Sequence, residues 1–217
     1  MSAALAVTFD FGAILHHNKL LLATNNKAKV REYKSLLQGV PYEIVTLAEQ
    51  GITTVVDEVG GSLEENARLK AIVLAAESQL LSLADDSGVE VDALGGGPGS
   101  MSARFAGEGA SDIDRINYLL ARLKGVSQEK RAARFRCVIA IATPEGTVEL
   151  CSGECRGFIT LAPKGKHGFG YDPVFYLPEL GKTMAELPLK LKNQVSHRGQ
   201  AARKARELLK KLSVQQK

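Results

Sequence analysis

Ala84-Asp85-Asp86-Ser87-Gly88 places two adjacent carboxylates between an apolar run, Leu80-Leu81-Ser82-Leu83-Ala84, and the alternating Val89-Glu90-Val91-Asp92. The run reads as a short buried strand, Gly88 as a sharp turn, and the alternation as a half-buried strand. Side chains alternate across a strand, so Asp85 and Asp86 point opposite ways and at most one faces a given pocket. On its own the stretch also reads as an ordinary Asx-turn, because Asp, Ser and Gly are all turn formers. Its neighbours decide between chemistry and plain loop building.

Upstream, Lys19 to Ala23 reads as a buried strand, Thr24-Asn25-Asn26 as a turn and cap, and the following residues as a helix to about Gln38, stopped by Gly39 and Pro41. Val30, Tyr33 and Leu37 form its inner face. Lys27 and Lys29 sit in its first turn, where the helix dipole disfavours cations by a few tenths of a kcal/mol unless something anionic is bound. A strand, a polar turn and a helix N-terminus with two lysines suit a phosphate, although no GxxxxGK[ST] is present and two solvated lysines fit as well. Tyr42 to Leu47 is a second strand, and Asp57-Glu58-Val59-Gly60-Gly61 a second acidic loop. Ser62 and Glu65 make a capping box for a helix to about Ser78, with Leu63, Ala67, Ala71 and Leu74 inward. Lys70 lies about 20° from Leu63 on the helical wheel, so it shares the apolar stripe and must either snorkel out or meet an anion.

Downstream, Gly95 to Gly99 is a glycine-rich loop without the spacing of a dinucleotide fold, and Ser111 caps a helix to about Lys124 with Ile113, Ile116, Leu119, Leu120 and Leu123 inward. Arg134 to Thr143 and Thr147 to Arg156 read as an antiparallel hairpin in the middle of the sheet. Lys164 to Pro173 frames Phe169 and Tyr171 with glycines, which suits either a stacking platform for a flat ring or an aromatic turn packed on the sheet. Ser196 and His197 stand at the entry of a terminal helix that buries Ala202, Ala205, Leu209 and Leu212.

With 217 residues, 45% of them apolar, and no run near the ~20 residues of a membrane helix, the chain reads as a soluble cytoplasmic protein. Residues 1–18 lack a signal-peptide pattern and read as an N-terminal extension, and 19–217 as a single domain of two lobes around one cleft. Three cysteines without CxxC spacing indicate reduced thiols, neither a disulfide framework nor a zinc site; His16-His17 reads as a solvated pair. The net charge of +4 is local. Thr183 to Lys217 carries nine Lys/Arg and two Glu, leaving 19 basic against 22 acidic residues elsewhere. That terminus is either a solvated helix face or a nucleic-acid footprint.

Six motifs in order, from Ala23-Thr24-Asn25-Asn26 with Lys29, through Glu64-Glu65-Asn66-Ala67 with Lys70, Ala84 to Gly88, Gly97-Pro98-Gly99 with Ser102-Ala103-Arg104, and Phe169 to Pro173, to Ser196-His197-Arg198-Gly199, resemble the inosine/xanthosine triphosphate pyrophosphatase family. The resemblance implies an α/β fold with an elongated mixed sheet, helices on both lobes and a central cleft. It also implies a Mg2+-dependent homodimer that hydrolyses ITP, dITP and XTP to the monophosphate and pyrophosphate. Carried over residue by residue, it makes Asp86 the general base and, with Glu58, a metal ligand. Thr24, Asn25, Asn26, Lys27, Ala28, Lys29 and Lys70 hold the triphosphate, and Ser87 lines the site. Phe169, Gly170, Tyr171 and Asp172 form the base pocket, and Lys192, His197 and Arg198 read the purine. Asn25 and Ala28 replace common glycines of the family, and Met101 a frequent tyrosine. Two alternatives are a pyrophosphatase for modified pyrimidine nucleotides, with the same chemistry and another base pocket, and a nucleic-acid-binding module resting on the basic terminus.

Overall fold

The computed structural model describes residues 18–58 and 61–214. The expected N-terminal extension, with His16 and His17, therefore lies almost wholly outside the described residues, as do Val59 and Gly60. Seven strands form one mixed sheet: β1 (Lys19–Leu22), β2 (Glu43–Thr46), β3 (Leu81–Val91), β4 (Ala132–Ala142), β5 (Val148–Ile159), β6 (Phe175–Leu177) and β7 (Lys182–Thr183). Their order is β2-β1-β3-β4-β5-β6-β7. β1 runs parallel to β2 and β3, and every other neighbouring pair is antiparallel. The helices are α1 (Lys27–Leu36), α2 (Leu63–Ser78), α3 (Asp112–Arg122), α4 (Leu189–Val195) and α5 (His197–Val214).

The long strands β3, β4 and β5 pass from one lobe into the other. In the first lobe, α1 and α5 cover one face around Leu20, Leu22, Tyr33 and Ile139, and α2 covers the opposite face around Leu21, Ala67, Ala71 and Val138. In the second, α3 and the segment after β7 pack with Val89, Val91, Phe135 and Phe175 of the sheet. Apolar side chains at helical spacing dictate this layering: Ala202, Ala205, Leu209 and Leu212 of α5 are all buried, as their periodicity requires. All three cysteines are free and buried. No helix of the described residues is long and apolar enough to cross a membrane.

Two local expectations are corrected. β3 does not turn at Gly88 but continues to Val91. Gly88 is there for close approach: a Cβ would collide with the Gly99 carbonyl and lie 2.8 Å from Ser102 Oγ, where the 3-10 turn Gly99–Arg104 crosses the strand. Ile113, expected inward, is 69% exposed. The first turn of α3 projects past the apolar cluster that holds Ile116, Leu119 and Leu123, and its neighbour Asp112 lines the cleft instead.

Candidate active site

A cavity of about 500 Å³ opens between the lobes. Because β1 and β3 are parallel neighbours, the turn leaving β1 lies beside Asp85 and Asp86, the crevice at strand carboxyl ends where α/β sheets bind ligands. Thr24, Asn25, Asn26, Ala28 and Lys29 all line it, whereas Lys27 is exposed and does not. Asn26 caps α1, its side chain accepting from the Ala28 and Lys29 N–H groups at 2.9 and 3.1 Å, so two of the helix's first amides already have partners.

Asp85 and Asp86 do point opposite ways. Asp85 is buried toward α1 and α5, where its Oδ1 pairs with Lys29 Nζ at 3.0 Å and its Oδ2 lies 3.5 Å from Arg198 Nη2. Burial alone would raise its carboxyl, but Lys29, Arg198 and Lys70 outweigh that and hold it far below the usual carboxylate range. Asp86 faces α2 and the cavity. Its Oδ2 accepts from Asn66 Nδ2 at 3.1 Å and its Oδ1 from Lys70 Nζ at 3.1 Å. Burial raises its pKa, and although Lys70 opposes, the Glu58 carboxylate adds to the rise.

Lys70 neither snorkels nor waits free for phosphate. Its ammonium donates to Glu58 Oε1 at 2.8 Å, to the Asp85 carbonyl at 2.8 Å and to Asp86 Oδ1. One cation thus already bridges the two predicted metal-binding carboxylates. Burial disfavours its charge, yet Asp86, Glu58 and Asp85 more than compensate and raise its pKa. Arg104 reaches from the 3-10 turn to the Glu58 carbonyl at 2.8 Å, tying the acidic loop to the second lobe.

The C-terminal motif builds the opposite wall. Ser196 Oγ accepts from the Gly199 N–H at 3.1 Å and so caps α5. His197 stacks on Phe135 with ring centroids 4.6 Å apart, and its buried Nδ1 has no hydrogen-bond partner among the described residues. Burial, then Arg198 and Lys192, drive its pKa well below 6.5, so it is neutral. Arg198 Nη1 pairs with Glu32 Oε2 at 2.9 Å and Nη2 donates to Ser87 Oγ at 2.8 Å, while its buried Nε has no hydrogen-bond partner among the described residues. Lys192 does not line the cavity; its ammonium is enclosed by Glu32 Oε1, at 2.8 Å, and Asp172 Oδ2. Phe169 projects half-buried into the cleft, with Lys192 Nζ 4.8 Å and Arg198 Cζ 5.2 Å from its ring centroid. Tyr171 donates to the Ser102 carbonyl at 2.8 Å and is buried, so it ties the aromatic loop to the 3-10 turn. Met101 is exposed outside this wall.

Glu32, Asn66, Arg104, Asp112 and Arg115 belong to the site's surroundings without having been singled out by function. Glu32 had one readable signal: it lies about 40° from Leu36 on the helical wheel, at the edge of the inner face. Asn66 stands one turn before Lys70 on α2. Nothing local marked Asp112 or Arg115.

The Ham1 family profile matches residues 20–208, and the chain belongs to that family. A dITP/XTP pyrophosphatase of Desulforamulus reducens is 50% identical over 198 residues, 91% of this chain and 98% of that one. One from Bacillus subtilis is 43% identical over 189 residues, covering 87% of this chain and 96% of its own. A HAM1 protein structure from Coxiella burnetii superposes with a TM-score of 0.81 at 37% identity, covering 89% of this chain and 98% of the other. The Ham1 protein of Staphylococcus aureus gives 0.79 at 39% identity, with 88% and 97% covered.

Proposed function

We propose that this chain hydrolyses dITP, ITP and XTP to the nucleoside monophosphate and pyrophosphate, removing deaminated purines from the cytoplasmic nucleotide pool. The observation that carries the reading is Asp86: a cavity-facing carboxylate of raised pKa beside the polar turn that leaves β1, in a chain half identical to a dITP/XTP pyrophosphatase. Water adds to the α-phosphorus, the bond to the bridging oxygen of the departing pyrophosphate breaks, and Asp86 takes the water proton. A base with pKa shifted toward neutrality is the better acceptor. Lys29 and Lys70, each already at a carboxylate, turn toward phosphate oxygens as these arrive.

Around the cleft, Glu32, Glu58, Asp85, Asp86 and Asp172 face Lys29, Lys70, Arg104, Lys192 and Arg198, so the wall is balanced in charge before substrate enters. A triphosphate therefore needs further positive charge. Glu58 and Asp86 offer hard oxygens where an ammonium now sits, and Mg2+ is commonly held by one or two carboxylates together with waters and substrate phosphates. Among the described residues no three His, Cys, Asp or Glu side chains converge on one point, which accords with such a substrate-completed site rather than an all-protein cage. Bound there, Mg2+ would neutralise phosphate charge.

Phe169 offers a ring face to the base, and His197 and Arg198 line the same cavity beside it. The Nη groups of Arg198 and the ammonium of Lys192 are engaged by carboxylates, so their part is to shape and polarise the pocket floor. One domain spanning 19–217 carries the activity, and the family resemblance supports a homodimer, which sedimentation would measure. The deciding assay compares ITP with GTP in the presence of Mg2+ and resolves pyrophosphate from phosphate. Production of IDP and orthophosphate would overturn the assignment of the α-phosphorus.

A further inference from the structure

The wall bearing Phe169 is built on a glycine backbone, since Gly168 and Gly170 both take positive φ, at 76° and 60°. Its shape must be imposed from outside. Asp172 Oδ2 accepts from the Phe169 N–H at 2.9 Å within the loop. The Gly170 N–H, however, donates at 2.7 Å to Oδ2 of Asp112, the first residue of α3. The other Asp112 oxygen accepts from Arg115 Nη2, and Arg115 Nη1 donates to the carbonyls of Ala103 at 3.1 Å and Ala110 at 2.6 Å. Asp112 and Arg115 both line the cavity. The pair thus joins the 3-10 turn, the loop before α3 and the aromatic loop to a helix anchored in the core through Ile116 and Leu119.

Asp112 is not needed to start α3. Ser111 and Asp114 form a complete capping box: the Ser111 side chain accepts from the Asp114 N–H and the Asp114 carboxylate from the Ser111 N–H. Its carboxylate is therefore left to the Gly170 N–H and Arg115, both charge-assisted bonds.

We propose that Asp112, oriented by Arg115, is a positioning residue that sets the Phe169–Gly170 wall against the purine and so tunes base affinity and selectivity without taking part at phosphorus. The proposal rests on the reading of Phe169 as the base platform. The test measures kcat and KM for ITP and GTP, inhibition by inorganic tripolyphosphate, which has no base, and the melting temperature, for the Asp112→Ala, Asp112→Asn and Phe169→Ala variants. Asp112→Ala should raise KM for ITP about tenfold with kcat within about threefold, and should narrow the ITP/GTP ratio. Tripolyphosphate inhibition should stay unchanged, and Asp112→Asn, which keeps an acceptor for Gly170, should recover most of the loss. Phe169→Ala should raise KM at least as far. If Phe169→Ala raises KM and Asp112→Ala does not, the clamp is refuted while the platform stands. Unchanged KM in Phe169→Ala removes the platform, and the proposal with it. If Asp112→Ala weakens tripolyphosphate inhibition, kcat and melting together and Asp112→Asn recovers nothing, Asp112 merely holds the fold.

Discussion

Replacing Asp85 and Asp86 singly by Asn separates two carboxylates that are neighbours in sequence and opposed in space. Asp85→Asn removes the anion that faces Lys29 at 3.0 Å and Arg198 at 3.5 Å in a fully buried setting. Breaking a buried pair costs about 3–5 kcal/mol. Arg198 keeps Glu32 and Ser87, and the Lys29 side chain retains some solvent, so the low end, about 3 kcal/mol, is expected. For a chain of this size that is a fall in Tm of roughly 6–12 °C. Asp86→Asn acts the other way. The folded pKa of Asp86 is raised above its unfolded value, so the ionised group costs stability once pH exceeds about 4, and a neutral amide relieves that cost. Lys70 retains Glu58 and the Asp85 carbonyl. Tm at pH 7 should hold or rise, while loss of the proposed proton acceptor should lower single-turnover hydrolysis of ITP by about 10²–10⁴-fold. Calorimetry and pyrophosphate release on both variants are the assay. Equal losses of stability and of activity in the two would refute the division of labour across β3.

Lys70→Met should lower Tm by an amount equivalent to about 2 kcal/mol at pH 7, because Glu58 and Asp86 are left facing each other; protonating one relieves the repulsion, so the deficit should shrink by pH 5. An equal deficit at both pH values would show that the lysine contributes only packing. His197 is held neutral, its pKa well below that of the unfolded chain, so stability is fully present above about pH 6.5 and declines as pH falls below it; denaturant titrations should show this limb flattened in His197→Asn. Gly88→Ala should cost about 1–3 kcal/mol by pushing the Gly99 carbonyl and Ser102 off β3, and an unchanged urea midpoint would remove the close-approach explanation.

The legible parts of the fold are those that each element states for itself. The apolar run at Leu20 to Leu22, the stripe of α2, the cap at Ser62 and the β4–β5 hairpin all follow from periodicity and turn chemistry, which act within a few residues. Gly88 reads locally as a turn because glycine gives one signal for two causes, a turn or an approaching backbone, and the approaching segment begins eleven residues on. Ile113 reads as inward because helical periodicity says which way a residue faces but not whether the core extends that far.

The charges at the site lie beyond local reading for a stronger reason. Lys192 and Arg198 count toward a basic C-terminal segment that invites a nucleic-acid reading, yet both are only 2% exposed and their charge is spent on Glu32, Asp85 and Asp172. Glu32 lies 166 positions from Arg198 along the chain, so no window of sequence contains the pair. A buried cation survives only if its partner is buried with it. Enclosing Lys192 and Arg198 therefore required acidic residues on α1, β3 and the aromatic loop, and these hold together three segments that line the cleft. The proposed phosphate turn, base platform and catalytic strand are thereby fixed to one another before substrate arrives, which is what a reaction resting on positioning and electrostatics requires.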